Sequence, residues 1–307
     1  MADRVTHARA VHVGPGAPDE LVSAVEEAGG KIVPPEDASA LIWFTGGPGE
    51  AAPYLHEGIR WVQLPGAGVE SWFASGLLTP GRTYTSAVGI YAPSVAEHAL
   101  ALMLAGARRL HELASVRTWT RPDPTGLGGS TVAVVGSGGI GQELIRLLEP
   151  FRVRILAITR SGRTVPGAAV STTPDRLVDV LKEADFVVVA APSTDETRAL
   201  IGEPELAAMR ETAWLINIAR GALIDTDALV EALVARTIGG AALDVTDPEP
   251  LPDGHPLWGA PNALITPHSA NPLKLRLPRY VERVRRNVEN YIEGRPLEGV
   301  VDIDAGY

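Results

Sequence analysis

Three polar clusters, each placed directly after an apolar run, hold the residue types needed to reduce or oxidise a small acid. The first is Asn217-Ile218-Ala219-Arg220-Gly221, the second runs from Asp244 through Glu249 to Pro252, and the third is Thr266-Pro267-His268-Ser269-Ala270. Arginine grips a carboxylate in fork geometry and polarises a neighbouring carbonyl. Histidine gives or takes a hydroxyl proton near neutral pH. A glutamate bonded to the far imidazole nitrogen fixes the tautomer and favours the protonated donor that a reduction needs. Singly, each residue has an ordinary reading: a structural histidine after proline, an arginine bound to backbone, a solvated glutamate between prolines. Spacing alone leaves open whether the three meet. His7, His12, His56, His98, His111 and His255 have no comparable setting and read as structural or surface residues.

Positioning such groups calls for a scaffold, and Thr131 to Arg163 supplies its centre. The β-branched run Thr131 to Val135 has the pattern of a strand buried on both faces. Gly136-Ser137-Gly138-Gly139-Ile140-Gly141 follows and fits G-x-G-x-x-G; Ile140, Leu144, Leu147 and Leu148 then share a helical face, and Val153 to Ile158 forms a second strand. Strand, glycine turn, helix and strand in this order constitute a dinucleotide-binding unit, with phosphates at the free N–H groups of the helix start. The alternative is a merely structural turn. An acid at the end of the second strand would bind the 2′-hydroxyl of NAD, but none occurs between Val153 and Thr173. Thr159, Arg160, Ser161 and Arg163 stand there instead, which favours the 2′-phosphate of NADP over NAD, the alternative being solvated surface arginines.

The remaining chain reads as alternating strands and helices. Strands are expected at Ala8 to Val13, 31–33, 40–44, 59–64 and 83–87, with a helix over 18–28. Gly66-Ala67-Gly68 follows a strand, where successive N–H groups could hold a small carboxylate or simply make a turn. A long apolar helix is expected from Ser94 to Leu113, with Ser94 as cap, followed by a proline- and glycine-rich connection over 117–129. Helices over 175–184, 225–235 and 273–293 and strands over 186–191, 213–219, 238–245 and 262–266 complete the pattern. The economical architecture is α/β, with two doubly wound parallel-sheet domains: a Rossmann-type domain, 98–271, inserted into a flavodoxin-like substrate domain, 1–97 completed by 272–307.

Composition sets outer limits. Of 307 residues, 45% are hydrophobic and 21% charged, an ordinary globular balance, and the net charge of −10 argues against nucleic acid or anionic membrane as partner. The absence of cysteine excludes disulfides, thiolate metal sites and cysteine nucleophiles, and no metal site is expected. With no apolar leader and no membrane-length run, a cytoplasmic protein is expected.

Across nearly its whole length the sequence resembles the D-isomer-specific 2-hydroxyacid dehydrogenases, and the stretch 130–151 followed by TRSGR (159–163) is similar to their glyoxylate and hydroxypyruvate reductases. The resemblance rests on WVQLPGAGVE (61–70), SVAEHALALMLAGAR (94–108), STVAVVGSGGIGQELI (130–145), APSTDETRALIG (191–202), LINIARGALID (215–225), ALDVTDPEPLP (242–252) and HPLWGAPNALITPHSA (255–270). It implies an NAD(P)-dependent 2-keto acid reductase in which Arg220 binds substrate and His268, oriented by Glu249, is the acid/base. Backbone N–H groups of Ala67 and Gly68 would serve the substrate carboxylate. Ala191, Pro192, Thr197, Ile218, Ala219, Asp244, His268 and Ala270 would join the glycine turn at the cofactor, Asp244 beside the nicotinamide carboxamide. A homodimer is implied, with the 94–113 helix between domains and a cleft that closes to exclude water. Ala190 replaces the family's histidine before Pro192, Asn271 replaces a usual glycine, and with the sequence ending at Tyr307 the regulatory extension of long relatives is not expected. Glu249 separates the chain from the formate dehydrogenase branch, which pairs its histidine with glutamine. The competing function is a dinucleotide-sensing binding protein of the co-repressor type, with little or no turnover.

Overall fold

A computed structural model describes residues 9–119, 121, 123–304 and 306. His7, read as structural or surface, and the strand start at Ala8 lie outside the described residues. The chain divides into two compact units, one comprising 1–91 with 273–307 and the other 92–272.

Unit 1 is built on a five-stranded parallel sheet of β1 (Ala10–Gly14), β2 (Lys31–Ile32), β3 (Ala40–Trp43), β4 (Trp61–Gln63) and β5 (Thr83–Thr85). Its order, β2-β1-β3-β4-β5, is that of flavodoxin-like folds. β3 and β4 are buried throughout, as expected for parallel strands covered on both faces. Helix α1 (Asp19–Glu27) turns Leu21, Ala24 and Val25 inward.

Unit 2 holds seven parallel strands: β6 (Thr131–Val135), β7 (Arg154–Ile158), β8 (Val170–Thr172), β9 (Phe186–Val189), β10 (Trp214–Asn217), β11 (Gly240–Leu243) and β12 (Ala263–Ile265). The order β12-β11-β10-β9-β6-β7-β8 is the Rossmann order with one strand added, so the two doubly wound domains are as expected. Strand β8 was not anticipated; three half-exposed residues give no alternation to detect. Helix α2 (Ala92–Ala107) precedes β6, and the crossover helices include α3 (Gly139–Leu148), α4 (Leu177–Glu183) and α5 (Thr226–Val234). Asp225 caps α5, its carboxylate accepting from the Ala228 N–H.

Helix α2 packs on α3, β10 and β11 through small residues, and a Cβ on Gly106 would lie 2.6 Å from the Trp214 ring. The expected single helix over 94–113 is interrupted: Arg109 turns left-handed (φ 52°), and Leu110–Leu113 forms a separate turn. Ser94 is not the cap, because α2 already starts at Ala92.

The last helix, α6 (Leu273–Glu293), lies on α1 in unit 1. Its buried Asn287 donates to Gln63 Oε1 (3.1 Å), which also accepts from Thr85 Oγ1 (2.9 Å). Trp61 Nε1 in turn donates to Thr85 (2.8 Å), so the polar side chains inside this unit satisfy one another. Tyr280 reaches the carbonyls of Trp43 and Leu64 from the same helix. No helix of the described residues is long and apolar enough to cross a membrane.

Candidate active site

The glycine turn lies at the switch point of the unit 2 sheet, between β6 and β9, where open parallel sheets bind ligands. Gly136 takes a positive φ of 94°, and a Cβ there would stand 2.5 Å from the Ala191 nitrogen; only glycine fits. A Cβ on Gly141 would lie 2.4 Å from the Gly136 carbonyl oxygen, so α3 and the turn are pressed together. Around Gly138 the situation is reversed, with no heavy atom within 4 Å of its Cβ position among the described residues. Gly138 caps α3, and Gly139 and Ile140 open it, so their backbone borders this open space.

Two buried hydroxyls flank the turn without a hydrogen-bond partner among the described residues, Ser137 Oγ and Thr159 Oγ1. Buried polar groups are costly when unpaired, so these are places where a ligand oxygen completes the site. The open space, the unpaired hydroxyls and the helix start fit a dinucleotide phosphate. Replacing Gly138 with alanine should therefore leave the unfolding midpoint unchanged but weaken NADPH binding, measured by fluorescence titration. Unaltered affinity would show that the phosphates lie elsewhere.

Beyond β7, Arg160 and Ser161 are exposed, while the Arg163 Nη2 donates to the Ser137 carbonyl at 2.6 Å. This draws the Arg163 guanidinium over the glycine turn. Past β9, Thr197 closes a short turn, donating to the Pro192 carbonyl (2.8 Å) and accepting from the Thr194 N–H.

The three polar clusters leave adjacent strands at one edge of the sheet. After β10, Asn217 accepts from the Ala219 N–H and donates to the Arg220 carbonyl, buckling the backbone so that Ile218 and Ala219 stay buried. Arg220 Nη1 donates to the Ala219 carbonyl (2.7 Å). A Cβ on Gly221 would fall 1.9 Å from the Thr246 carbonyl carbon, so this turn is seated against the segment that carries Glu249. Glu249 Oε1 then lies 2.6 Å from His268 Nδ1. A carboxylate only accepts, so Nδ1 carries the hydrogen and Nε2 is left for chemistry. The His268 side chain is about half exposed (52%), accessible to a reactant.

Asp244 is buried at the end of β11, and its carboxylate binds the third cluster from within. Oδ1 accepts from Thr266 Oγ1 (2.6 Å) and the Ser269 N–H (2.8 Å); Oδ2 accepts from the Ala270 N–H (3.0 Å). Burial acts to raise its pKa, but hydrogen bonds from His98, Thr266, Ser269 and Ala270 outweigh it and leave a value of about 2. Oδ2 retains capacity for a further donor, which suits a carboxamide N–H.

Of the two readings its sequence allowed, His98 takes the structural one: its Nε2 lies 2.9 Å from Thr266 Oγ1 and 3.3 Å from Asp244 Oδ1. Ser94, one turn earlier on α2, donates to the Ala270 carbonyl (2.7 Å). The other described histidines do have local tasks; His255, for example, accepts the Leu257 N–H at the start of a short helix. Ala67 and Gly68 lie in unit 1, in the loop that follows β4.

A Rossmann sheet with this turn and a histidine–glutamate pair at its edge defines a dinucleotide-dependent oxidoreductase. The chain belongs to the D-isomer specific 2-hydroxyacid dehydrogenase family, whose NAD-binding-domain model matches residues 100–270. It is thus an NAD(P)-dependent dehydrogenase acting on a CH–OH group. Among its relatives is an uncharacterized protein of the proB 3′ region of Corynebacterium melassecola, 40% identical over 94% of this chain and 97% of that one. A glyoxylate reductase of Aeropyrum pernix is 35% identical over 72% and 70% of the two chains. A crystal structure of a family member from Xanthobacter autotrophicus Py2, in complex with NADPH and MES, superposes with a TM-score of 0.85 at 26% identity, covering 97% and 99%.

Proposed function

We propose that the protein is an NADPH-preferring reductase of small 2-keto acids, with glyoxylate or hydroxypyruvate as substrate. The contact between Glu249 and His268 carries this reading, because it fixes an imidazole as proton donor at the edge of a dinucleotide-binding sheet. When bound, the reduced nicotinamide supplies the hydride that goes to the ketone carbon. His268 Nε2 gives the proton to the ketone oxygen, and Glu249 stabilises the imidazolium from the opposite side. Arg220 binds the substrate carboxylate and polarises the carbonyl, and the N–H groups of Ala67 and Gly68 also serve the carboxylate. The substrate class is supported by the relatives named glyoxylate reductase.

The cofactor preference is supported by Arg160 and Arg163 and by the missing acid after β7. A cytoplasmic homodimer completes the proposal, and a solution mass of twice 32.4 kDa would support the dimer. The deciding experiment is consumption of NADPH and of NADH with glyoxylate, hydroxypyruvate, pyruvate and a longer 2-keto acid. Turnover should favour NADPH. Arg160→Ala should raise the KM for NADPH about tenfold, the worth of one charge-assisted hydrogen bond, and leave NADH unaffected. A preference for NADH would overturn the cofactor assignment. Tight dinucleotide binding without turnover on any acid would replace the reductase by a sensor.

A further inference from the structure

The left-handed backbone of His268 (φ 49°) is a conformation that a non-glycine residue keeps only when its surroundings enforce it. The enforcing contacts can be followed residue by residue. The His268 N–H donates to the Asp244 carbonyl (2.8 Å), and the carboxylate of the same residue takes the N–H groups of Ser269 and Ala270. Asp244 is itself fixed through its own N–H to the Asn217 carbonyl (2.9 Å) on the neighbouring strand.

Helix α2 grips the same segment from another direction. Ser94 and His98 are four residues apart and share one helical face. Ser94 holds the Ala270 carbonyl, and His98 holds the Thr266 hydroxyl. The hydrogen count fixes the direction of the second contact. Thr266 has a single hydroxyl hydrogen and donates it to Asp244 Oδ1 at 2.6 Å. Toward His98 its oxygen can only accept, so His98 Nε2 must carry a hydrogen. Nε2 also lies 3.3 Å from Asp244 Oδ1, so the three side chains close a ring of donors around one carboxylate oxygen.

We propose that His98 is a positioning residue for the reaction: together with Asp244 it holds the segment from Thr266 to Ala270, and so keeps the His268 imidazole in register with Glu249. This rests on the reading of His268 as proton donor. Among the described residues His98 makes no hydrogen bond to Glu249 or His268, and it acts through Thr266 and Asp244.

Three measurements test it on the full-length enzyme. His98→Ala should lower kcat about 10²-fold, the usual consequence of misplacing a reacting group by about 1 Å, without a matching change in the Kd for NADPH. His98→Gln, whose amide can still donate to Thr266, should recover most of that loss. Amide hydrogen exchange at Ser269 and Ala270, followed without cofactor or substrate, should quicken in the alanine variant and not in the glutamine variant. Thr266→Val, which removes the hydroxyl between His98 and Asp244, should lower kcat in the same way and serves if His98→Ala does not fold. Unchanged kcat in His98→Ala, or a glutamine variant no better than alanine, overturns the proposal, as does exchange at 269–270 that ignores His98. Failure of the underlying reading is separable, since turnover by His268→Ala would remove the proton-donor role while the exchange experiment still reports on the tether.

Discussion

Replacing His268 with alanine is expected to lower kcat by about 10²–10⁴-fold, the range for loss of a positioned general acid. The affinity for NADPH should survive, because the glycine turn, the unpaired Ser137 and Thr159 hydroxyls and Asp244 are all untouched. Alanine should also relieve no strain at φ 49°, so stability should change little. Glu249→Gln makes the companion variant. Its amide oxygen can still accept the His268 Nδ1 hydrogen, but the negative charge that favours the imidazolium is gone. Its kcat should fall less than that of His268→Ala. Steady-state kinetics and fluorescence titration check both. Near-normal turnover in His268→Ala would remove this residue from the mechanism.

A second large effect is expected at a residue with no side chain. Gly221→Ala would drive a Cβ to 1.9 Å from the Thr246 carbonyl carbon and 2.0 Å from its oxygen, and to 2.4 Å from the Asp247 nitrogen. All three obstacles are backbone, so no rotamer change can clear them. Either the turn after Arg220 or the segment leading to Glu249 must shift, and both carry proposed site residues. A loss of about 3 kcal/mol in unfolding free energy is expected, at the upper end for overpacking, together with a drop in kcat/KM. Denaturant titration measures the first and initial rates the second. A variant of normal stability and activity would mean that the two turns are not seated against each other as described.

How much of this could be read from the sequence varied with the range of the interactions. The unit from β6 to β7 was legible because its signals are local: a β-branched run, glycines at fixed offsets, then a helical period. Helix α6 was legible over its full span for the same reason. The three polar clusters stood out because each follows an apolar strand, but spacing left open whether they meet, and the contact between Glu249 and His268 was implied only by the family resemblance. His98 was not legible. On the helix it stands beside Glu97 in a mostly apolar run, and its partner Thr266 is 168 residues away. Ser94 was misread for a related reason: followed by Glu97, it imitates a capping box, yet its hydroxyl serves Ala270. The break at Arg109 was equally hidden, since the residues around it are good helix formers and the turn there is set by backbone conformation.

The assignment of both ends of the chain to one unit bears on how the protein is made. Unit 2 is contiguous, 92–272, and can complete its sheet while the C-terminal stretch is still in the ribosome. Unit 1 emerges first but cannot finish first. Until α6 arrives, the Gln63 amide oxygen lacks Asn287, and the α1 surface lies bare. During synthesis the early segment waits with its five strands made but its apolar surface uncovered, the species most prone to aggregate or to recruit a chaperone. A permutant that begins at residue 273 and joins the old ends would deliver unit 1 as one continuous stretch and remove that delay.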